Sequence, residues 1–229
     1  RDPIATYNMK TIDELKKLAP NFDWMAYFTG LGLPNLDKVN VMMPNFFAGF
    51  SKLLTEVPAA TWQNYFRFTL MIHNSSYLTD AIQKADFDFY NSYLSGQKEM
   101  KPRWKRVLST VSGGLGEAIG KLYVEKHFPA EAKARMVELT NNLKKSLASS
   151  LQNLSWMSDE TKKAALTKLE AMRVKVGYPD KWIDYSKLDI EANSYIVNAW
   201  NASRFSTQLE MSKVGKPVDK EEWVMTPQT

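Results

Sequence analysis

Residues 156–182 constrain the fold of this chain more than any other stretch, because they combine a complete helix start with an abrupt stop. Ser158 can cap the helix, and Asp159–Glu160 then lie in the first turn, where negative charge suits the helix dipole. An apolar stripe follows at helical spacing, formed by Ala165, Leu169, Met172 and Val176. Gly177 allows a left-handed residue at the helix end, and Pro179 prevents continuation. The stretch therefore predicts a helix, then a turn, and then extended backbone.

Similar start and stop signals divide the rest of the chain into helical segments with short connections. Thr11 and Glu14 form a capping box, which predicts a helix start. The predicted helices run from Thr11 to about Pro20, from Asp23 to Gly30, onward from Pro44, from Thr61 to about Leu94, onward from Pro102 with a weak point at Ser112–Gly114, from Pro129 to Leu154, and from Ile190 to Met211. Lys38–Met43 alternates polar and apolar residues and is the one predicted strand. The sequence therefore predicts an all-α fold of mainly antiparallel helices, with at most one or two short strands.

The helix predicted between Thr61 and Leu94 differs from the others in composition. Apolar residues occur on nearly every side of its middle part, WQNYFRFTLMIHNSSYL. A helix that is apolar all round is normally buried on all sides. We therefore expect this helix at the centre of the helical body.

Length, composition and charge exclude several classes of protein. The 229 residues suffice for one large domain, and 44% of them are hydrophobic. No apolar run approaches the roughly eighteen residues that a membrane span needs. The net charge of +5 comes from scattered basic residues, and proline and tryptophan interrupt the densest run, Lys98–Arg106. A nucleic-acid surface needs a continuous basic face with stacking aromatics, so we exclude nucleic acid as a partner.

The two histidines are the first candidates for metal binding. His73 and His127 lie 54 positions apart, so they cannot form a two-histidine zinc motif on one helix. His73 falls on an aromatic helix face, which favours a hydrogen-bonded core or boundary histidine. His127 and Glu131 have the i,i+4 spacing of a metal pair, but Pro129 between them favours a simple contact at a helix start.

Acidic and glycine-rich segments also contain no catalytic motif. Asp86, Asp88 and Glu99 are interpreted as a solvated acidic surface, because no spacing here places two carboxylates opposite each other. Ser112–Gly116 lacks both the preceding strand and the Lys-Ser/Thr of a phosphate loop. We therefore expect no catalytic, cofactor-binding or metal-binding residue in these 229 positions.

Four segments, taken in order, resemble one known family. They are RDPIATYNMKTIDEL at the start, Trp104–Arg106 followed by GEAIGKLYVEKHF, the Trp-Met, Thr-Lys-Lys-Ala and Gly-Tyr-Pro of residues 156–179, and EEWVMTPQT at residues 221–229. Together they resemble the neprilysin and endothelin-converting-enzyme group of zinc endopeptidases, which includes bacterial oligopeptidases. The resemblance covers essentially all 229 residues.

The resemblance implies a zinc endopeptidase whose catalytic residues lie outside this chain. The family's His-Glu-x-x-His helix and its downstream Glu-x-x-x-Asp are both absent from the sequence. The chain ends a few residues before the place of the family's Asn-Ala-Tyr substrate-binding motif. By this resemblance the parent enzyme holds zinc and hydrolyses short peptides, the segment itself binds no zinc, and its partner is the missing catalytic lobe.

Family members enclose the active site between two largely helical lobes. The resemblance therefore also implies where this segment lies in the parent enzyme. We expect the non-catalytic lobe and its connections, forming a cavity wall that limits substrate size. Residues 1–60 would connect the lobes, 61–215 would form the main helical body, and 216–229 would lead into the catalytic lobe. Arg1, Asp2 and Tyr7 would fix how the lobes join. The alternative is a stand-alone helical binding domain without enzymatic activity.

Cysteine is absent from the chain. Animal members of the family carry disulfides, and one of their cysteines follows the Trp-Arg-Arg run, where this chain has Val107. We therefore expect a bacterial member that is periplasmic, cell-surface or secreted rather than cytoplasmic, with any export signal upstream of residue 1.

Overall fold

A computed structural model describes residues 2–228, and Arg1, with its expected pairing to Asp2, lies outside the described residues. The elements are β1 (Met9–Thr11), α1 (Ile12–Leu18), α2 (Trp24–Gly30), β2 (Lys38–Asn40), α3 (Pro44–Glu56), α4 (Ala59–His73), α5 (Asp80–Asp86), α6 (Arg103–Gly114), α7 (Gly116–His127), α8 (Ala130–Gln152), α9 (Asp159–Ala171) and α10 (Tyr195–Met211). A 3₁₀ turn covers Ser75–Tyr77, and a π-helical segment covers Phe87–Tyr93. The predicted all-α class is confirmed.

The chain forms two compact units. Unit 1 contains residues 1–103 and 188–217, and unit 2 contains residues 104–187 and 218–229. In the part of the chain that is described, no helix is long and apolar enough to cross a membrane.

The core of unit 1 is assembled around its small sheet and first two helices. Strands β1 and β2 pair antiparallel, with Lys10 opposite Val39. The buried apolar residues are Ile12, Leu15, Ala19, Trp24, Phe28 and Val41. Trp24 satisfies its indole N–H by donating to the carbonyl of Ala19 at 2.9 Å, so a large aromatic ring is buried without an unpaired donor.

Local capping signals fix the helix starts of unit 1 largely as predicted. The hydroxyl of Thr11 accepts from the amide of Glu14, and the Glu14 carboxylate accepts from the amide of Thr11 at 2.7 Å, which completes the capping box. Asp23 caps α2 through the amide of Ala26. Strand β2 is shorter than the predicted Lys38–Met43, and its partner β1 was not predicted at all.

The long helical region predicted from Thr61 to about Leu94 is mostly helical, but it is divided into segments and is not one continuous helix. Its first helix begins at Ala59, directly after Pro58, and stops at His73 before a 3₁₀ turn. The side chain of Asn74 donates to the carbonyl of Leu70 at 2.7 Å and accepts from the indole of Trp200 at 2.7 Å. These bonds hold a residue that favours turns at the helix end, so the chain leaves the helix there.

The expected central position of this helix is also wrong for the described residues. None of the side chains of α4 is fully buried, and Tyr65, Phe66, Phe68 and Leu70 are each more than half exposed. Apolar residues all round a helix therefore do not produce burial within this chain.

Unit 2 contains helices α6 to α9. The weak point predicted at Ser112–Gly114 is a break, because Leu115 leaves the helical region with φ −127° and ψ 33° and separates α6 from α7. Helices α8 and α9 contact each other, as their short connection predicts. Ser158 caps α9 as predicted, with its side chain accepting from the amide of Thr161.

The predicted end of the Ser158 helix is wrong. Helix α9 ends at Ala171, and Met172 is extended with φ −67° and ψ 121°. The following MRVKV segment alternates polar and β-branched residues, which favours extended backbone. The side chain of Lys144 donates to the carbonyl of Met172 at 2.9 Å and so stabilises the extended backbone after α9. Gly177 has a positive φ of 73°, as predicted, but it forms a separate turn against the Phe128 ring.

The last helix begins later than predicted. Helix α10 starts at Tyr195 with Ser194 as its cap, whereas the prediction placed the start at Ile190. Its end at Met211 agrees with the prediction.

We predict that Thr11→Ala lowers the free energy of unfolding by about 1 kcal/mol, because it removes the hydroxyl that caps α1. Thr79 provides a matched control, since it is also an N-cap threonine but makes no side-chain capping bond. Urea denaturation at neutral pH measures both variants. Equal losses in Thr11→Ala and Thr79→Ala would contradict the capping role.

Candidate functional site

The structure places the two histidines on separate helices. His73 is exposed and donates from Nδ1 to the carbonyl of Thr69 in its own helix at 2.8 Å, so it is a surface residue and not a core one. Helix α7 ends at His127 and α8 begins at Ala130, so His127 and Glu131 do not share a helix. Within residues 2–228, no three His, Asp or Glu side chains are grouped closely enough to hold a metal ion.

The acidic and basic candidates form solvated contacts. Asp88 accepts a bond from Lys84 at 2.5 Å on an exposed helix surface. Within the basic run, Arg103 lies 3.8 Å from Asp80, and the Lys105 ammonium lies 5.3 Å from the centre of the Trp104 ring. These are surface ion pairs and a cation–π contact, which contribute little stability and form no catalytic pair.

Two open clefts in unit 1 meet at Gly30 and Leu31. One has a volume of about 410 Å³ and is also lined by Trp200, Ser203, Arg204, Thr207 and Gln208. The other, of about 470 Å³, is also lined by Phe22, Asp23, Ala26 and Tyr27. The only carboxylate among these lining residues, Asp23, already caps α2, so the clefts offer surface for contact but no pair of carboxylates for acid–base chemistry.

The most organised polar cluster of unit 2 surrounds the start of α7. Glu117 is buried, with 8% of its surface exposed, and its carboxylate accepts from the amide of Ile183 at 2.7 Å. Its own amide donates to the Tyr185 hydroxyl at 3.4 Å. One residue of α7 thus holds two points of the extended segment after Pro179, which has no regular structure of its own.

The surroundings of Tyr185 change its acidity. Burial raises the pKa of the Tyr185 hydroxyl, and the negative charge of Glu117 raises it further, while the bond from the Glu117 amide acts in the opposite direction. The neutral phenol is therefore the form that the folded protein favours.

A second face of α7 receives residues 226–228. A methyl group added at Gly116 would lie 2.7 Å from Cγ2 of Thr226, and one added at Gly120 would lie 2.7 Å from Cδ of Pro227. The carboxamide of Gln228 donates from Nε2 to the carbonyl of Gly116 at 3.0 Å. We call this glycine face, formed by Gly116 and Gly120, the α7 seat. Because these two positions carry no side chain, the side chains of Thr226, Pro227 and Gln228 reach the helix backbone.

A further cluster fixes the turn after α9. The ammonium of Lys133 donates to the carbonyl of Tyr178 and to the carboxylate of Asp180, both at 2.7 Å, and lies 4.2 Å from the centre of the Tyr178 ring. Arg173 pairs with Glu221, and Lys175 donates to the carbonyl of Glu222. The strand-like exit from α9 is therefore tied to α8 and to the start of the C-terminal segment.

Two helices present apolar faces that this chain does not cover. On α8 the exposed stripe is Met136, Leu139, Leu143 and Leu147, each more than two-fifths exposed. On α4 it is Tyr65, Phe66, Phe68 and Leu70. Several large apolar side chains exposed on one helix indicate contact with another part of a protein or with a partner.

Comparison with known proteins establishes the family. The sequence profile described as "Peptidase family M13" matches residues 1–179, well over half of the chain. This chain belongs to peptidase family M13. The membership confirms the resemblance seen in the sequence.

Two relatives agree with this family assignment. Neprilysin-2 of Drosophila melanogaster is 29% identical over 247 residues, which cover 98% of this chain and 32% of the relative. Endothelin-converting enzyme 1 of Homo sapiens is 29% identical over 238 residues, which cover 99% of this chain and 31% of the relative. The chain therefore spans about a third of the length of the curated relatives that it matches.

Solved structures share the fold. The zinc metalloprotease Zmp1 of Mycobacterium tuberculosis in its open state matches with a TM-score of 0.93 at 38% identity, over 100% of this chain and 36% of that chain. The same enzyme in complex with an inhibitor matches with a TM-score of 0.84 at 37% identity, over 100% of this chain and 35% of that chain. PepO from Lactobacillus rhamnosis HN001 matches with a TM-score of 0.76 at 24% identity, which supports the fold alone.

Sequence reasoning missed the residues that organise unit 2. The glycines of GEAIGKLYVEKHF were noted as part of a motif, but nothing in the sequence showed which segment they would contact. Glu117 reads as an ordinary first-turn acid of a helix, and only its burial distinguishes it. A glutamate between two glycines at a helix start is the one local signal that could have indicated a close, polar contact.

We predict that Glu117→Ala lowers the free energy of unfolding by roughly 1–3 kcal/mol, because it leaves the amide of the half-buried Ile183 without its acceptor. Glu125→Ala serves as the control, since Glu125 lies on the exposed side of the same helix. Denaturant unfolding followed by tryptophan fluorescence measures both. A Glu125→Ala loss as large as that of Glu117→Ala would contradict the role of the buried carboxylate.

We predict that Tyr185 makes unit 2 sensitive to alkali. Its folded-state pKa lies above that of the unfolded chain, so its contribution to stability is complete below a pH of about 10 and is lost as the pH rises through the folded-state pKa. Tyr185→Phe should flatten the fall in stability above this pH, because the phenylalanine ring cannot ionise. Unfolding curves at several alkaline pH values test this, and identical pH profiles of both proteins would contradict it.

Proposed function

We propose that the full-length protein containing this chain is a zinc-dependent endopeptidase that hydrolyses short peptides. The observation that carries the proposal is the family M13 match over residues 1–179, combined with full coverage of this chain by the Zmp1 fold. Zmp1 is named a zinc metalloprotease, and the transfer of that activity to this protein is our inference.

The residues of this chain do not fit a zinc site. Zinc sites in proteins need three or four closely placed nitrogen, sulfur or oxygen ligands. The chain has no cysteine, and its two histidines lie on separate helices that belong to different units. We therefore assign no catalytic or metal-binding residue to it and propose that the zinc ligands lie in the remainder of the protein.

We propose that this chain contributes the non-catalytic lobe, whose helices form part of the wall around the substrate cavity. In this proposal residues 1–60 connect the lobes, residues 61–215 form the main helical body, and residues 216–229 lead into the catalytic lobe. The exposed apolar faces of α4 and α8 support it, because such surface is normally covered in a complete protein. A wall of this kind admits short, flexible peptides and excludes folded proteins.

A bacterial origin, with export from the cytoplasm, belongs to the same proposal. The identity to the mycobacterial Zmp1 is 37–38%, against 29% for each of the two animal relatives named here. The absence of cysteine is compatible with a member that folds without disulfides. The rival function is a stand-alone helical binding domain, which the exposed apolar faces would also serve.

We predict that the purified full-length protein cleaves a quenched fluorescent peptide of about ten residues, that a chelator abolishes this activity, and that zinc restores it. A folded protein containing the same sequence in an internal loop should resist cleavage, because the cavity wall excludes it. The chain of 229 residues alone should show no activity. Peptide binding without hydrolysis by the full-length protein would favour the rival function.

A further inference from the structure

We propose that the α7 seat is a positioning device for the active site: it fixes residues 226–228 and so sets the direction in which the chain enters the catalytic lobe. The inference rests on the proposed function for its effect on catalysis. Its structural part, that Gly116 and Gly120 hold the C-terminal segment in one place, rests on contacts within unit 2 alone.

The first step is the closeness of the contact. A methyl group at Gly116 would meet Cγ2 of Thr226 at 2.7 Å, and one at Gly120 would meet Cδ of Pro227 at 2.7 Å and Oε1 of Gln228 at 2.9 Å. Carbon atoms in normal contact are about 3.5–4.0 Å apart. Side-chain atoms of three consecutive residues therefore occupy the volume that two side chains of α7 would need, so a larger residue at either glycine displaces at least one of those side chains.

The second step is the orientation of Gln228. Its Nε2 donates to the carbonyl of Gly116 at 3.0 Å, and only the amide nitrogen can face a carbonyl, so the direction of the carboxamide is fixed. Its Oε1 is buried and has no hydrogen-bond partner in the described part of the chain. The bond that Nε2 donates therefore sets the position of the Gln228 side chain on α7.

The third step is the support beneath the seat. Glu117 lies between the seat glycines and is held by the amide of Ile183 and the hydroxyl of Tyr185. The start of α7 is therefore fixed on a second side by a buried carboxylate. A site is accurate only when the residues that carry it are themselves held in place.

The fourth step is the contrast with the residues just before the contact. Val218, Val224 and Met225 are 85%, 92% and 65% exposed, and residues 218–225 form no helix or strand. This stretch is held by the ties at Glu221 and Glu222 and by the half-buried Trp223, all of which precede residue 225. The direction of the chain beyond residue 225 then depends on the contacts of Thr226, Pro227 and Gln228 with α7.

Catalytic geometry is sensitive to the position from which a chain segment enters the active site. A displacement of about 1 Å at a site far from the chemistry can reduce a rate about a hundredfold, because reacting groups leave their productive alignment. Binding of a flexible peptide depends less on one alignment. A disturbed seat should therefore lower kcat more than it raises KM.

The test uses size complementation in the full-length protein. Gly116→Ala adds the methyl group that meets Cγ2 of Thr226, and Thr226→Ser removes that same carbon while keeping the hydroxyl. We expect Gly116→Ala to lower kcat at least tenfold, with KM changed less than twofold and the zinc content retained. The double variant Gly116→Ala/Thr226→Ser should recover most of the lost kcat. Gly113→Ala is the control, since nothing lies within 4 Å of an added methyl group there.

Hydrogen–deuterium exchange of the C-terminal segment gives a readout that needs no activity. Exchange in residues 218–228 should rise in Gly116→Ala and return toward the wild-type rate in the double variant. Gln228→Met, which removes the bond to the Gly116 carbonyl without adding a clash, should also raise it, and Gln152→Met on the exposed end of α8 should not.

Several results would overturn the inference. One is unchanged kcat and exchange in Gly116→Ala, and another is a loss in that variant that Thr226→Ser does not recover. If Gly116→Ala does not fold, unchanged exchange in Gln228→Met overturns it. If the wild-type protein has no peptidase activity, the proposed function fails and the catalytic half of the inference with it. The exchange measurements then decide the structural half.

Discussion

Two glycines one helical turn apart are the constraint on which the organisation of unit 2 depends. Their missing side chains are the space in which Thr226, Pro227 and Gln228 lie, and the carboxylate between them holds the segment that follows Pro179. Helix α7 is thus the common support of two extended segments that are far apart in sequence. Neither segment forms a helix or a strand, and both contact this helix.

Most helix starts could be predicted from the sequence, because a cap acts within four residues. The hydroxyl of Thr11, the carboxylate of Asp23 and the hydroxyl of Ser158 each accept a hydrogen bond from the amide three positions further on. The helix ends were harder to predict. Helix α9 stops five residues before the end of its apolar stripe, since contacts with Lys144 favour the extended path. The end of α4 depends on Trp200, which lies 126 positions away in the chain.

Burial was predicted least well, and the reason is physical. An all-round apolar helix indicates that something covers it, but it does not indicate what. Helix α4 and the stripe on α8 are exposed within this chain, which spans about a third of the relatives that it matches. The candidate site was also predicted only in part. The sequence motifs identified the family, but the α7 seat and the burial of Glu117 could be recognised only from three-dimensional contacts.

The central claim is that this chain supports and shapes a zinc peptidase without holding its metal. The direct test is the zinc content of two purified proteins, the chain of 229 residues and the full-length protein, measured by mass spectrometry after dialysis against a weak chelator. The account predicts no retained zinc on the shorter chain and about one zinc per molecule of the full-length protein. One tightly held zinc on the shorter chain, or none on the full-length protein, would contradict it.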